Sequence, residues 1–354
     1  MRPILSFVVT LLLAACAITR VEPPPPVTPP AQFKELGLWQ KAPTDRVTPV
    51  SDDWWTLYND PVLDDLERRL VIGNENLKAA VAQVANARAV YEASRSAFWP
   101  TLSTGLLATR SGSPTSAVTL GQPNPANTFS FATVASWEID LWGQLSEASS
   151  GARSSFQASA DDLAAARLSA QATLALTYFL LRTAEIQQSL LERSVGAYQR
   201  ALELTEIRYQ GGIAARTDVL LAETQLKSTQ AQAIEAGAQR AQLEHAIAVL
   251  IGTPPSELTI QVNDKLPAAP DVPMMLPASL LERRPDIAAA QRRVAAAYAE
   301  IGVADAAFFP SLSLSASASY RHSVFANLLS APNLFWSVGP SLALTILDGG
   351  QHRL

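Results

Sequence analysis

The feature that most constrains this chain is a long stretch without proline. The sequence contains 24 prolines, yet residues 126–253 contain none. Because proline breaks helices, this gap favours long continuous helices. Apolar and small residues recur there in alternating steps of three and four over 144–209 and 219–250, which is the heptad pattern of coiled coils. With Gly211-Gly212 between the two segments, the sequence predicts an antiparallel helical hairpin at 144–251.

The sequence also contains an internal duplication. Residues 76–104 align without gaps with residues 286–314. The strongest part of the match pairs Ala-Phe-Trp-Pro-Thr-Leu-Ser at 97–103 with Ala-Phe-Phe-Pro-Ser-Leu-Ser at 307–313. Such a repeat indicates two copies of one supersecondary unit.

After each shared helix, apolar residues alternate with small or polar ones. Runs of about ten residues with this period are typical of tilted strands that cross an outer membrane. Aromatic residues at one end of the runs, in Phe98-Trp99, Trp142 and Phe308-Phe309, match an interfacial aromatic belt. The sequence therefore predicts four strands, at about 101–110, 128–141, 311–320 and 335–347.

Four strands are too few for a membrane barrel of one chain, because the smallest such barrels have eight. An open sheet edge in lipid would leave backbone groups without partners. Strands in lipid thus require an oligomer. The predicted fold class is mainly α, with a long coiled-coil hairpin and four transmembrane strands that contribute to an oligomeric barrel.

The N-terminus has the pattern of an export signal. Arg2 precedes an apolar stretch at 4–13 that is too short to span a bilayer. Leu13-Ala14-Ala15-Cys16 resembles the lipobox of bacterial lipoproteins, where cleavage before the cysteine precedes its acylation. We therefore expect Cys16 to carry acyl and diacylglyceryl chains. Ala17 stands where such lipoproteins carry aspartate as an inner-membrane retention signal, so we expect export to the outer membrane.

These patterns divide the chain into five parts. They are a signal peptide at 1–15, a lipidated and proline-rich N-terminus at 16–50, a first helix-strand-strand-hairpin repeat at 51–253, a linker at 254–284 and a second repeat at 285–354, whose helix is predicted at 286–307.

Composition argues against an enzyme, a metal centre and nucleic-acid binding. The chain has one cysteine and three widely separated histidines, so we expect no metal site. Its 27 basic and 32 acidic residues include no cationic run of the kind that binds phosphate backbones. A nucleotide-binding loop is also missing from the sequence. We expect no catalytic residues and no cofactor beyond the lipid on Cys16.

Several short motifs stand at defined places along the chain. They are Trp54-Trp55, Asp60-Pro61 with Leu63, Asn76-Leu77, the segment Trp137 to Gly143, the segment Arg208 to Gly212, the segment Leu281 to Ile287, and Asp348-Gly349-Gly350. With these motifs the chain resembles the TolC-like outer-membrane efflux proteins, and within them the OprM-type lipoprotein branch.

This resemblance implies a homotrimer. Its twelve strands would form a barrel among the lipids of the outer membrane of a Gram-negative bacterium, continued by a periplasmic α-barrel. The implied function is passive export of drugs or other small solutes. In that family an inner-membrane pump supplies the energy and a periplasmic adaptor bridges the two membranes.

The resemblance also implies roles for particular residues. Gly211, Gly212 and Ile213 at the hairpin tip would contact the adaptor, although glycines here also simply permit the turn. Thr217 and Asp218 would belong to the periplasmic gate, although an acidic residue also suits a helix N-terminus. From the strand pattern itself, Glu138 and Asp140 lie on a polar face, which is either the lumen, where they would disfavour anions, or a plain solvated surface.

Three alternatives remain beside the export channel. A periplasmic adaptor would need β-rich barrel and lipoyl-like segments around its hairpin, and a structural coiled-coil lipoprotein would lack the alternating strands. The third alternative is a non-functional truncated fragment. The first copy has a hairpin at 144–250, whereas only four residues follow Gly350 in the second copy. We therefore expect a C-terminally truncated member of the family, without the second hairpin.

Overall fold

The computed structural model describes residues 53–112, 124–263, 265–270 and 283–347, together with positions 114, 281 and 349. The predicted signal peptide, Cys16 and the proline-rich tether lie outside the described residues. Five α-helices and four β-strands occur in the described part. They are α1 (Pro61–Gly73), α2 (Glu75–Ser96), β1 (Thr101–Ser111), β2 (Ala126–Ile139), α3 (Gln144–Gln210), α4 (Arg216–Leu250), α5 (Pro285–Ala306), β3 (Ser311–His322) and β4 (Leu334–Ala343).

Two strands end earlier than the alternation alone suggests. β2 ends at Ile139 rather than at 141, and β4 ends at Ala343 rather than at 347. The period-two pattern continues past both ends. It records which residues alternate in polarity, whereas a strand also needs a partner for its backbone groups.

The described residues fall into two compact units. Among them, one unit combines the described residues of 84–160 with those of 288–349, and the other combines residues 53–83 with the described residues of 161–287. The first unit contains the whole sheet and the adjoining helix ends. The second contains the rest of the helical hairpin.

The sheet in the first unit is antiparallel, with the strand order β1-β2-β3-β4. Its central pair, β2 and β3, comes from different copies of the repeat, and Phe131 lies opposite Tyr320 in that pair. Small residues let the adjoining helices approach closely. A Cβ at Gly151 would lie 3.3 Å from the Cβ of Ala299, and the rings of Tyr91 and Phe156 stack at 6.2 Å.

The core of the second unit forms where α1 packs against the hairpin. Leucines of α1 meet apolar residues of α3 and α4, and Leu63, Leu70, Leu174, Tyr178 and Ile247 are all completely buried. The backbone at Gly73 lies directly against the backbone at Gly252. A Cβ at Gly73 would collide with the carbonyl oxygen of Ile251, and Gly252 also has a positive φ of 69°. Glycine is therefore required at both positions.

A buried ionic network joins α3 to α4 in the same unit. Arg182 Nη1 donates to Glu185 Oε2 at 2.7 Å, and Arg240 Nε donates to Glu185 Oε1 at 3.1 Å. Arg240 also pairs with Glu244 at 2.9 Å. The backbone of residues 260–263 donates to both carboxylates and accepts from both arginines. The network thus holds the start of the linker against the hairpin.

Among the helices that the structure describes, none combines the length and the apolar composition needed to cross a bilayer.

Candidate functional site: the sheet and the hairpin turn

The four strands share one apolar face. In an antiparallel sheet, directly opposed residues point to the same side. Leu312 lies opposite both Ile139 and Leu342, and Ala316 lies opposite both Ala135 and Val338. Continuing this register across all four strands gives one face whose members are apolar except for threonines and the residues at the loop end. We call it the apolar face, and its apolar members are Leu102, Leu106, Ala108, Phe129, Phe131, Ala135, Trp137, Ile139, Leu312, Leu314, Ala316, Ala318, Tyr320, Leu334, Trp336, Val338, Pro340 and Leu342.

Much of this apolar face lies exposed on the chain's surface. The exposed fractions of Leu102, Trp336 and Val338 are 75%, 73% and 62%. Soluble proteins rarely expose apolar patches of this extent. Strands of an outer-membrane barrel instead place such a face in lipid.

The opposite face of the sheet carries mostly small residues, serine above all, with Leu107, Val134 and Phe335 as its larger apolar members. Ser313, Ser315, Ser317 and Ser319 of β3 all point there, and Ser317 Oγ lies 2.8 Å from Ser337 Oγ of β4. Glu138 lies opposite Ser313, so the register places it on this polar face. Its predicted position in a lumen stays a prediction.

The outer strands β1 and β4 each pair on one side only within the described chain. All residues of β1 and nearly all residues of β4 are exposed. Because each neighbouring pair is antiparallel, β1 and β4 run in opposite directions. β4 of one chain can therefore pair with β1 of a second, identical chain and continue the same antiparallel alternation.

The aromatic residues at the helix end of the sheet hold the strands in place. Trp142 stacks on Phe309 at a ring distance of 5.0 Å, and its Nε1 donates to the carbonyl oxygen of Pro310 at 2.7 Å. Trp137 Nε1 donates to the carbonyl oxygen of Phe98 at 3.0 Å. These indole groups combine an apolar body with a satisfied polar atom, as aromatic residues at membrane interfaces do.

A second aromatic row lies on the apolar face at the loop end, and the sequence analysis missed it. Its members are Phe129, Phe131, Tyr320 and Trp336. Phe129 and Trp137 are eight residues apart on β2, or about 27 Å at 3.4 Å per residue. With a tilt of about 40° this spans about 21 Å, close to the ~25 Å apolar band of outer-membrane barrels. Aromatic residues at alternating positions near the loop end of the runs were the sequence signal that could have revealed this row.

The structure gives Asp140 a different place from the one predicted. It lies one residue beyond the end of β2. Its Oδ2 accepts hydrogen bonds from the backbone amide and the hydroxyl of Ser146, at 2.9 and 2.6 Å, and its Oδ1 accepts from the amide of Leu145 at 3.2 Å. The prediction that Asp140 belongs to the polar strand face was therefore wrong. Its carboxylate satisfies amides at the start of α3, which a strand pattern does not reveal.

The predicted hairpin tip lies between α3 and α4. Gly212 has a positive φ of 74°, and the amide of Ile213 donates to the carbonyl oxygen of Arg208 at 2.9 Å. This is the bonding of a left-handed helix end, which favours glycine. The side chain of Ile213 is 81% exposed. Gly211, Gly212 and Ile213 thus form the turn, and their contact with an adaptor stays a prediction.

Thr217 and Asp218 lie in the first turn of α4. Asp218 Oδ2 accepts a hydrogen bond from the amide of Ala215 at 3.0 Å, so this carboxylate stabilises the helix start. The side chain of Thr217 is exposed. The predicted gate role of both residues stays a prediction.

The Arg284-Pro285-Asp286 motif has a local structural role. Arg284 Nη2 donates to Asp286 Oδ2 at 2.6 Å, while Asp286 Oδ1 accepts from the amide of Ile287 at 3.0 Å. The hydrogen bond from Arg284 lowers the pKa of Asp286 below its usual value. The motif thereby stabilises the start of α5 with an acidic side chain.

Comparisons with known proteins agree with this geometry. Residues 68–253 and 276–354 match the family described as "Outer membrane efflux protein". The probable efflux pump outer membrane protein SepC of Pseudomonas putida is 30% identical, over 99% of this chain and 74% of that protein. The pyoverdine export outer membrane protein OpmQ of Pseudomonas aeruginosa is 31% identical, over 97% of this chain and 72% of that protein.

Solved structures show the same relationship. The outer-membrane channel OprN matches with a TM-score of 0.77 and 30% identity, over 85% of this chain and 68% of that chain. The CmeC outer membrane channel of Campylobacter jejuni matches with a TM-score of 0.82 at 22% identity, over 94% of this chain and 72% of that chain, and supports the fold alone. With its exposed apolar sheet face and its long helical hairpin, the chain belongs to the outer membrane efflux protein family, a family of channels rather than of enzymes.

Proposed function

We propose that this chain is one protomer of a passive homotrimeric duct in the outer membrane of a Gram-negative bacterium. The duct carries drugs or other small solutes from the periplasm to the outside. It works with a periplasmic adaptor and an inner-membrane pump, which supplies the energy. The observation that supports this proposal most directly is the exposed apolar face of a four-stranded sheet whose two edges run in opposite directions.

Closure of the sheet supports an oligomer of defined size. Each chain adds four strands, so two chains give eight strands and three chains give twelve. The resemblance of the sequence motifs to TolC-like proteins favours twelve. In lipid, each unpaired edge group costs several kcal/mol, and edge pairing between copies removes that cost.

The polar face supports a duct for solutes without strong charge preference. Serine, threonine, glycine and alanine are its commonest residues, and Glu138 and Arg321 are its only charged side chains within the described strands. A wall made mostly of small side chains, many of them hydroxyl groups, leaves room for a wetted lumen. The named exports of relatives, such as toluene for TtgF and pyoverdine for OpmQ, differ widely in chemistry and favour a broad class of small organic solutes here.

The remaining site residues are assigned by the same proposal. Cys16 carries the lipid that anchors the N-terminus, and Gly211, Gly212 and Ile213 contact the adaptor. Thr217 and Asp218 contribute to the periplasmic gate. The exposed side chain of Ile213 leaves an apolar group at the tip for such a contact.

Expression in a strain that lacks its own outer-membrane efflux component tests the proposal. We expect the chain in the outer-membrane fraction as a heat-modifiable oligomer. Mass spectrometry should find acyl chains on Cys16. A monomeric helical protein extracted without detergent would contradict the proposal and favour an adaptor or a structural lipoprotein.

A further inference from the structure

At the loop end of the sheet, the apolar face carries polar and basic side chains. Arg110 lies opposite Asn127, and one row lower Phe129 lies opposite both Ala108 and His322. Arg110 is exposed and His322 is partly exposed. Below these rows, the apolar face of the described strands carries no charged side chain. A rim with one arginine and one histidine thus borders the surface that faces lipid.

An apolar cavity lies directly below this rim. The loop between β3 and β4 turns back toward the apolar face, and the rings of Phe325 and Phe129 meet edge to face at 5.6 Å. Between the loop and the sheet lies a cavity of about 410 Å³. It is lined only by apolar residues, namely Leu106, Phe131, Phe325, Ala326, Leu328 and Leu329.

The distance between the cavity and the rim suits a lipid whose acyl chain lies in the cavity and whose phosphate lies at the rim. Leu106 and Phe131 form one row of the sheet, two residues below the row of His322 and four below Arg110. At about 3.4 Å per residue the separations along the strand are about 7 and 14 Å. His322 is held in place by Val324, whose amide lies 2.9 Å from its Nδ1.

We propose that this surface binds one phosphorylated, acylated lipid of the outer leaflet. An acyl chain enters the cavity and the phosphate lies against Arg110 and His322. Arginine forms strong charge-assisted hydrogen bonds with phosphate, and an apolar cavity of this size suits a hydrocarbon chain. The cavity is continuous with the apolar face, which makes a membrane lipid the occupant that the geometry favours. The inference relies on the proposed function for its orientation, with the loops on the outside.

Native mass spectrometry of the full chain, purified from outer membranes in detergent, tests this site. The probes are lipid A and the same lipid after removal of its phosphates. We expect the wild-type chain to retain lipid A at least about tenfold more strongly than the lipid without phosphates, because one hydrogen bond between charged groups corresponds to about a tenfold change in affinity. Equal retention of the two lipids by the wild-type chain would overturn the inference without any variant.

Paired variants then locate the site. The double variant Arg110→Gln with His322→Gln should lose the preference for the phosphorylated lipid. Arg321→Gln is the matched control, because Arg321 is the next residue along β3 from His322 but lies on the polar face opposite Ser130. An equal loss in the control variant would contradict the proposed site.

Two further outcomes separate this inference from the proposed function. A chain that reaches the outer membrane as an oligomer but shows no preference for lipid A contradicts only the lipid site. A chain that never reaches the outer membrane contradicts both. If Ala326→Trp, which fills the cavity, changes the oligomeric state but leaves lipid A retention unchanged, the cavity holds a second copy of the chain and the lipid site is wrong.

Discussion

Glu67 shows how a single buried carboxyl group affects the stability of the helical unit. Its side chain is completely buried on α1 between Leu63 and Leu70, and neither carboxylate oxygen has a hydrogen-bond partner among the described residues. Burial raises the pKa of Glu67 from 4.5 to about 8, because the charged form loses its hydration. The residue is therefore protonated in the folded chain at neutral pH.

This burial predicts a stability that falls as the pH rises. Between pH 4.5 and about 8 the unfolded chain has released the Glu67 proton, while the folded chain still binds it. Stability therefore decreases across this window, by up to about 5 kcal/mol, and is constant above it. Glu67→Gln should remove this dependence and raise the melting temperature at pH 8.5 relative to the wild type.

Thermal unfolding followed by the helical circular dichroism signal at pH 5.5 and 8.5 measures this effect. Asp65→Asn is the matched control, because the Asp65 side chain is 63% exposed. An equal pH dependence in the wild type and the Glu67→Gln variant would show that Glu67 titrates normally.

The buried network around Glu185 predicts that a buried and an exposed ion pair contribute differently to the free energy of unfolding. Arg182 and Glu185 are almost completely buried, whereas the ion pair of Arg88 and Glu92 is exposed. Removing one partner of a buried pair leaves an uncompensated charge and costs about 3–5 kcal/mol. An exposed pair contributes about 0–1 kcal/mol.

We therefore expect Arg182→Met to lower the free energy of unfolding far more than Arg88→Met. Denaturant unfolding of the two variants measures the difference. Similar losses in both would mean that the network is not buried as described.

At the scale of elements, the two faces of each strand should tolerate charge differently. Val338 and Ser337 are neighbours on β4, but Val338 lies on the apolar face and Ser337 on the polar face. An arginine in the middle of the lipid-facing surface costs about 2–4 kcal/mol. Val338→Arg should therefore reduce assembly into the outer membrane much more than Ser337→Arg.

An insertion assay with purified outer membranes compares these two variants. A similar loss of inserted oligomer in both would show that the sheet faces water on both sides, or that the strand register differs from the one described.

The sequence predicted the elements of this fold better than the contacts between them. Periodicity identified the hairpin and the four strands, since heptads and alternation are local patterns. It misplaced Asp140, which alternates like a strand residue but caps α3. The Glu185 network joins residues 55 and 78 positions apart, and no local pattern records such a pairing. The second aromatic row emerged only once the register had aligned the strands.

At the scale of the whole molecule, one sheet serves as a segment of a larger wall. Its apolar face matches lipid, its polar face matches water, and its two edges are complementary because β1 and β4 run in opposite directions. These three properties are needed together for a barrel built from several copies. A closed barrel requires a whole number of four-stranded sheets, so the number of copies fixes the number of strands.

The number of copies in the membrane-extracted oligomer tests this account most directly. Native mass spectrometry of the chain, extracted from outer membranes in mild detergent, measures that number without any substitution. We predict three copies, which supply twelve strands. A monomer, or a complex with a number of copies other than three, would contradict the account.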